Sequence, residues 1–117
     1  MRPTAIVTGG SGGIGRECVR ALVPDYDVAI QYHADRASAE ALADEIDRET
    51  DSEAITCGCD VTDPDDVAAT VARTRDELGP AAVLVNNAGI LEECPVEEMT
   101  PDHVQRVLGV NLVGAMY

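Results

Sequence analysis

One stretch near the amino terminus, Thr8-Gly9-Gly10-Ser11-Gly12-Gly13-Ile14-Gly15, constrains this chain more than any other. It follows directly on a β-rich apolar run, Thr4 to Thr8, and leads directly into helical periodicity from Gly13 to Val23. Glycine tolerates left-handed backbone and close approach, so such a loop turns tightly and aims its N–H groups at an anion. The helix that follows presents the positive end of its dipole to the same point. That context predicts a dinucleotide site. The stretch fits GxxxGxG through Gly9, Gly13 and Gly15, and equally GxGxxG through Gly10, Gly12 and Gly15, so spacing alone does not choose between subclasses. Ile14, flanked by glycines, is expected to anchor the helix in the core. The chain has no Gly-Lys-Ser/Thr, which argues against a triphosphate-binding loop.

The rest of the chain alternates short apolar runs with helical periods. Val28 to Tyr32, Ala54 to Cys59 and Ala82 to Asn86 read as strands. Ser38 to Glu49 reads as a helix carrying Leu42 and Ile46, and a second follows Pro64 with Val67, Val71, Thr74 and Leu78 on one face, ended by Gly79-Pro80. Strands this apolar suit burial on both faces. The expectation is an α/β fold, a doubly wound parallel sheet with helices on both sides, right-handed crossovers and strand order 3-2-1-4. Thr100 is placed to cap a further helix, with Pro101 in its first position. Val104, Val107, Leu108 and Leu112 form its apolar stripe. Asn111 lies on the same stripe, where a polar group is costly unless satisfied. With 117 residues, the chain is read as one domain.

Phe and Trp are both absent, so the core must come from Val, Ala, Ile and Leu. The net charge is −14, Lys is absent, and the eight arginines are scattered. No basic patch exists to neutralise phosphates, so neither a nucleic acid nor an anionic membrane is expected as partner. The acid excess predicts a protein of a salt-rich cytoplasm, where screening relieves self-repulsion. No stretch reads as a signal peptide or approaches a membrane span. Cys57-Gly58-Cys59 has too short a spacing for a zinc knuckle, and no His accompanies it. These thiols are expected to be buried and inert, with no metal site.

Cofactor preference rests on the end of the second strand. An acid there binds the 2′-hydroxyl of NAD and repels a 2′-phosphate. Here the strand ends Gln31-Tyr32-His33, the nearest acid is Asp35, and Arg36 follows it. This composition leans toward NADP, with NAD as the alternative. Arg36 or His33 is the candidate phosphate contact, and Arg is the stronger because it is always charged and forks onto oxygens.

The glycine loop resembles the TGxxxGIG signature of the short-chain dehydrogenase/reductase family. Asn86-Asn87-Ala88-Gly89 is similar to that family's NNAG, Asp60 follows the third strand where these enzymes hold adenine, and Asn111 in Asn111-Leu112-Val113-Gly114 lies where the family keeps a catalytic-helix Asn. The resemblance covers the whole chain. It is strongest to the classical members that include 3-oxoacyl-carrier-protein reductases and acetoacetyl-CoA reductases. It implies a Rossmann-like fold and hydride transfer between NADP(H) and a carbonyl or secondary alcohol, with a 3-oxoacyl thioester as substrate. It also implies site residues. Gly9, Ser11, Gly12, Gly13, Ile14 and Gly15 would cradle the pyrophosphate, and Tyr32, His33 and Arg36 would meet the adenosine ribose. Asp60 and the Val61 backbone would hold adenine, and Asn87, Ala88 and Gly89 would line the ribose side. Asn111 would hold a water in the proton relay, with local helix distortion helping to satisfy it.

Three departures accompany the resemblance. Many NADP-using members carry Arg or Lys where Gly12 stands, and the NAD-type Asp would fall at Tyr32. The family's catalytic Ser and Tyr-xxx-Lys lie beyond the helix that holds Asn111, and this chain contains no Lys. The 117 residues are therefore expected to form a cofactor-binding half, inactive alone. The alternative is a non-catalytic dinucleotide-binding or interaction module. Val83-Leu84-Val85 is expected to present an open apolar edge, and in relatives the Asn-bearing helix helps form a dimer interface. Homo-oligomerisation is expected on both counts.

Overall fold

Four apolar runs pair into one parallel sheet in the order β3-β2-β1-β4 in the computed structural model, which describes residues 2–117. The strands are β1 (Thr4–Val7), β2 (Asp27–Tyr32), β3 (Ala54–Gly58) and β4 (Ala81–Val85). The helices are α1 (Gly13–Leu22), α2 (Arg36–Glu49), α3 (Pro64–Glu77) and α4 (Pro101–Leu108). Each of the first three helices connects consecutive strands, so the doubly wound architecture and strand order are those expected. The register sets Val7 beside Ile30 on one side and Val85 on the other, so β1 and its two neighbours end close together.

β1 and β2 carry the core because both lie inside the sheet. Ala5, Val7, Val28, Ala29 and Ile30 are fully buried, and α1 and α2 cover one face with Val19, Ala39, Leu42 and Ile46. Cys57 joins the smaller cluster on the opposite face with Ile6 and Ala29. Cys57 and Cys59 are both buried, and burial pushes both thiols upward from their ordinary range. β4 lies at the sheet edge, where Leu84 is 57% exposed.

Two expected faces are corrected. Ile14 does not anchor α1; it is 76% exposed, and the helix is buried through Gly15 and Val19 instead. One residue is a 100° turn of helix, so the close seating of Gly15 puts its neighbour on the open side. On α3 Thr74 is buried as expected and Thr70 joins it, while Val71 is exposed. The Thr74 hydroxyl donates to the Thr70 carbonyl at 2.8 Å, which pairs it inside its own helix.

The helix starts follow capping chemistry. Asp35 accepts from the Ser38 N–H at 3.1 Å, so α2 starts earlier than the apolar periodicity indicated and Arg36 becomes its first residue. Asp63 caps α3 ahead of Pro64. Thr100 accepts from the His103 N–H at 3.2 Å and caps α4, as its sequence predicts. After Leu108 the helix widens into a π-helical turn, Gly109–Val113, and closes with Gly114–Met116.

Candidate functional site

The carboxyl ends of β1, β2 and β4 meet at the glycine loop. Gly9 has φ +62°, a left-handed conformation that favours glycine. Gly15 is required for a different reason. A Cβ there would run into the Gly9 carbonyl oxygen and lie 2.6 Å from Asn87 Nδ2. At Gly13, by contrast, a Cβ would meet nothing within 4 Å. The loop is therefore tight against the protein at Gly9, Gly10 and Gly15 and open at Gly12 and Gly13.

α1 starts at this loop without a side-chain cap. Gly12 is the N-cap residue and makes no side-chain hydrogen bond, and the first turn holds no acid. α2, α3 and α4 all have capping side chains, from Asp35, Asp63 and Thr100. The N–H groups of the first turn of α1 lack intrahelical acceptors, as in any helix. Here no carboxylate or hydroxyl takes their place, and that leaves a positive, donor-rich end facing outward.

Beside it opens a cleft lined by Ser11, Gly12, Gly13 and Ile14 on the loop side, by Tyr32, His33, Ala34 and Asp35 after β2, and by Gly9, Asn87 and Gly89 across the floor. The β4 side is knitted to the loop through Thr8. Its hydroxyl oxygen accepts from the N–H groups of Asn87 and Ala88 at 2.9 and 3.0 Å, while Asn87 Nδ2 donates to the Gly9 carbonyl at 3.1 Å. Tyr32 packs its ring against Gly58, where a Cβ would come within 3.0 Å of the phenol oxygen. Asp35 is held below the usual carboxylate range by its Ser38 hydrogen bonds, with the Arg16 charge adding to the effect.

Arg36 stands outside the cleft lining. It is 72% exposed along its side chain and donates to Glu40 at 2.7 Å, one turn along α2. That pairing raises its already high pKa further. Asp60 and Val61 follow β3. Asp60 Oδ1 accepts from the Thr62 hydroxyl at 2.6 Å and the Thr62 N–H at 2.9 Å, and these bonds, the hydroxyl first, lower its pKa. Val61 is buried against Gly114, where a Cβ would come within 2.8 Å of Val61 Cγ2.

Asn111 lies in the π-helical turn, so the helix is indeed distorted at this residue. Its partner is the backbone of Ile90. Oδ1 accepts from the Ile90 N–H at 2.7 Å and Nδ2 donates to the Ile90 carbonyl at 2.8 Å. The amide thereby pins the segment after Asn86–Gly89 to the helix. π-turns of this kind recur at functional positions in helices.

Three residues near the site escaped the sequence reading. The sequence marks Thr8 only as the junction of strand and glycine loop, and its hydroxyl is what joins the loop to Asn87 and Ala88. Arg16 Nη2 donates to the Ser11 carbonyl at 3.3 Å and so lies under the glycine loop. Gln31 is 3% exposed and bonds to backbone groups of Gly9 and Cys59. Its signal was present, since an amide inside an otherwise apolar strand calls for a partner.

The family model described as short chain dehydrogenase matches residues 3–117. Among curated proteins, the chain is 39% identical over 115 residues to an acetoacetyl-CoA reductase of Paracoccus denitrificans, covering 97% of this chain and 45% of that protein. It is 37% identical over 116 residues to a 3-oxoacyl-[acyl-carrier-protein] reductase of Staphylococcus aureus, covering 97% and 46%. Among solved structures, a blue fluorescent protein from a metagenomic library in complex with NADPH superposes with TM-score 0.88 at 37% identity, over 96% of this chain and 46% of that one. A dehydrogenase/reductase from Sinorhizobium meliloti 1021 superposes with TM-score 0.92 at 32% identity, over 97% and 45%. The chain thus spans about half the length of the relatives it matches.

Proposed function

The chain belongs to the short chain dehydrogenase family, and from that premise we propose that it binds NADP(H) and, in its full-length form, transfers a hydride between that cofactor and a carbonyl or secondary alcohol carbon. The observation that carries the reading is the uncapped start of α1, facing an open cleft between Ser11–Ile14 and Tyr32–Asp35. Its donors and dipole suit a pyrophosphate. The absence of side chains at Gly12 and Gly13 leaves room for one.

The site residues then have the following roles. Gly9 and Gly15 hold the loop in shape, and Ser11, Gly12, Gly13 and Ile14 present backbone N–H groups and an apolar rim to the dinucleotide. Asp60 and the Val61 backbone receive adenine. Asn87, Ala88 and Gly89 form the floor under the ribose. Tyr32 brings no carboxylate to the ribose position, His33 borders it, and Arg36 at the start of α2 would leave Glu40 to meet a 2′-phosphate, which favours NADP(H) over NAD(H). The solved relative in complex with NADPH supports the same preference. Bound nicotinamide supplies or accepts the hydride. Asn111 keeps one N–H and one lone pair beyond its two bonds to Ile90, which is enough to hold a water of a proton relay.

A 3-oxoacyl thioester is the proposed substrate, supported by the acetoacetyl-CoA and 3-oxoacyl-carrier-protein reductases among the relatives. Exposed Leu84 on β4 and exposed Val104, Leu108 and Leu112 on and beyond α4 support a homo-oligomer. A salt-rich cytoplasm is the proposed setting, on the strength of the −14 charge. Among the described residues, no helix is long and apolar enough to cross a membrane.

The test uses the full-length protein. Dissociation constants for NADPH and NADH are measured by titration, followed by NADPH oxidation with acetoacetyl-CoA. Gly13→Asp puts a carboxylate at the donor-rich helix end, where space allows it. It should weaken NADPH by about tenfold or more while leaving the fold intact. Absence of binding to either dinucleotide overturns the proposal. Oxidation with simple ketones but not with the thioester would move the substrate class.

A further inference from the structure

β2 is apolar and fully buried at Val28, Ala29 and Ile30, and then comes Gln31, an amide only 3% exposed. A buried amide is retained at a cost unless both ends are paired. Both are. Oε1 accepts from the Gly9 N–H at 2.7 Å, and Nε2 donates to the Cys59 carbonyl at 2.6 Å. The backbone repeats the link, because the Gln31 carbonyl accepts from the Gly10 N–H at 3.0 Å and the Tyr32 carbonyl accepts from the Cys59 N–H at 3.0 Å.

The two groups bonded to the side chain belong to different strand ends, and only Gly9 lines the cleft described above. Gly9 opens the glycine loop, and Cys59 directly precedes Asp60. β1 and β3 are not neighbours in the sheet, since β2 separates them. No ladder bond between them fixes Gly9 relative to Cys59. A side chain from the intervening strand can do so if it carries a donor and an acceptor at its tip and is long enough to reach both ways. Gln meets those terms, whereas Met or Leu lacks both polar groups.

We infer that Gln31 is a positioning residue of the site: its buried amide, added to the backbone bonds of Gly10 and Cys59 to β2, ties the glycine loop to the end of β3 and sets how the pyrophosphate loop stands relative to the Asp60 segment proposed to receive adenine. The inference rests on the dinucleotide reading above and adds a residue that acts through Gly9 and Asp60 without touching the ligand.

The experiment compares wild type, Gln31→Met and Gln31→Glu in full-length protein, with Kd for NADPH measured at a temperature where circular dichroism shows each one fully folded. Gln31→Met should raise Kd by about tenfold or more, as the loop and strand end lose their shared fixed point. Gln31→Glu supplies a readout that a purely structural role would not move. Protonated, its carboxyl offers one acceptor and one O–H donor, like the amide; ionised, it has no donor for the Cys59 carbonyl. Its Kd should therefore approach the wild-type value as pH falls and diverge from it as pH rises. A lowered melting temperature with Kd within about twofold of wild type in both variants overturns the inference, as does a Gln31→Glu pH profile parallel to wild type. If Gln31→Met does not fold, the Gln31→Glu profile decides. Failure of wild type itself to bind either dinucleotide overturns the functional reading, and this inference with it.

Discussion

Arg36 begins α2 with its guanidinium on Glu40, while Arg16, twenty residues earlier, lies against the Ser11 carbonyl under the glycine loop. An exposed ion pair spaced four residues along a helix contributes little in water, so a phosphate can take Arg36 away from Glu40. A charged hydrogen bond to phosphate is worth roughly 1.5–3 kcal/mol, or about ten- to a hundredfold in affinity. Arg36→Ala is expected to weaken NADPH by that factor and to leave NADH nearly unchanged. Arg16→Ala, which loosens the loop for both cofactors, should weaken them equally. Tyr32→Asp should reverse the preference by offering a ribose acceptor and repelling the phosphate. Paired Kd measurements decide, and an Arg36→Ala that loses both cofactors alike would remove Arg36 as the phosphate reader. Residue-scale roles were unevenly legible. The glycine cluster marked the loop, but only the packing distinguishes Gly15, with the Gly9 carbonyl and Asn87 against it, from Gly13, with nothing against it. Gly15→Ala should accordingly destabilise the protein by roughly 1–3 kcal/mol, read as a loss in the chemical-denaturation midpoint.

At the scale of elements, the apolar runs announced the strands because strands buried on both faces leave little room for polar residues. Their order did not follow from that alternation, which other doubly wound sheets share, and was expected from the resemblance of the glycine loop and its companions to a dinucleotide-binding family. Helix faces were harder. Counting apolar residues put Ile14 and Val71 inward, whereas close backbone approach buried Gly15, and on α3 Thr70 joined the expected Thr74 on the inner side, where the Thr74 hydroxyl bonds to the Thr70 carbonyl. Asn111 was legible as a misfit in an apolar stripe. Its partner was not, because Ile90 lies 21 residues away and is reached only through the fold. The π-helical turn and the Ile90 contact together fix how α4 sits against the segment after β4. Asn111→Ala removes both bonds. Because this position is open to water, the loss should stay near 0.5–1.5 kcal/mol per bond. Amide exchange at Ile90 should rise while the sheet remains protected. Unchanged exchange at Ile90 would show that the segment is held elsewhere.

At the scale of the whole molecule, a charge of −14 governs stability. Several of the arginines are already matched to acids at the surface, among them Arg20 with Glu17 and Glu45, Arg73 with Glu77 and Arg106 with Glu92. The excess carboxylates repel one another. The melting temperature should rise between about 0.1 M and 2 M KCl, since the Debye length shrinks from about 10 Å to below 3 Å. A flat or falling curve would remove the case for a salt-rich setting. Acid acts through particular groups. Asp35, Asp60 and Glu92 are held below their ordinary pKa, by Ser38, Thr62 and Arg106 respectively. Their contribution is present above the unfolded-state values near 4 and is lost as pH falls through the lower folded values. In high salt, where repulsion is screened, the melting temperature should therefore drop below about pH 4, and Thr62→Val should flatten the part due to Asp60. The uncapped start of α1 has one more consequence. A helix whose first-turn donors await an anion is completed by its ligand, so occupancy and folding become a single linked equilibrium. At a dinucleotide concentration a hundred times Kd, the folded state gains about 2.7 kcal/mol, and the protection from solvent exchange should begin at Gly13, Ile14 and Gly15 and spread along the helix they start.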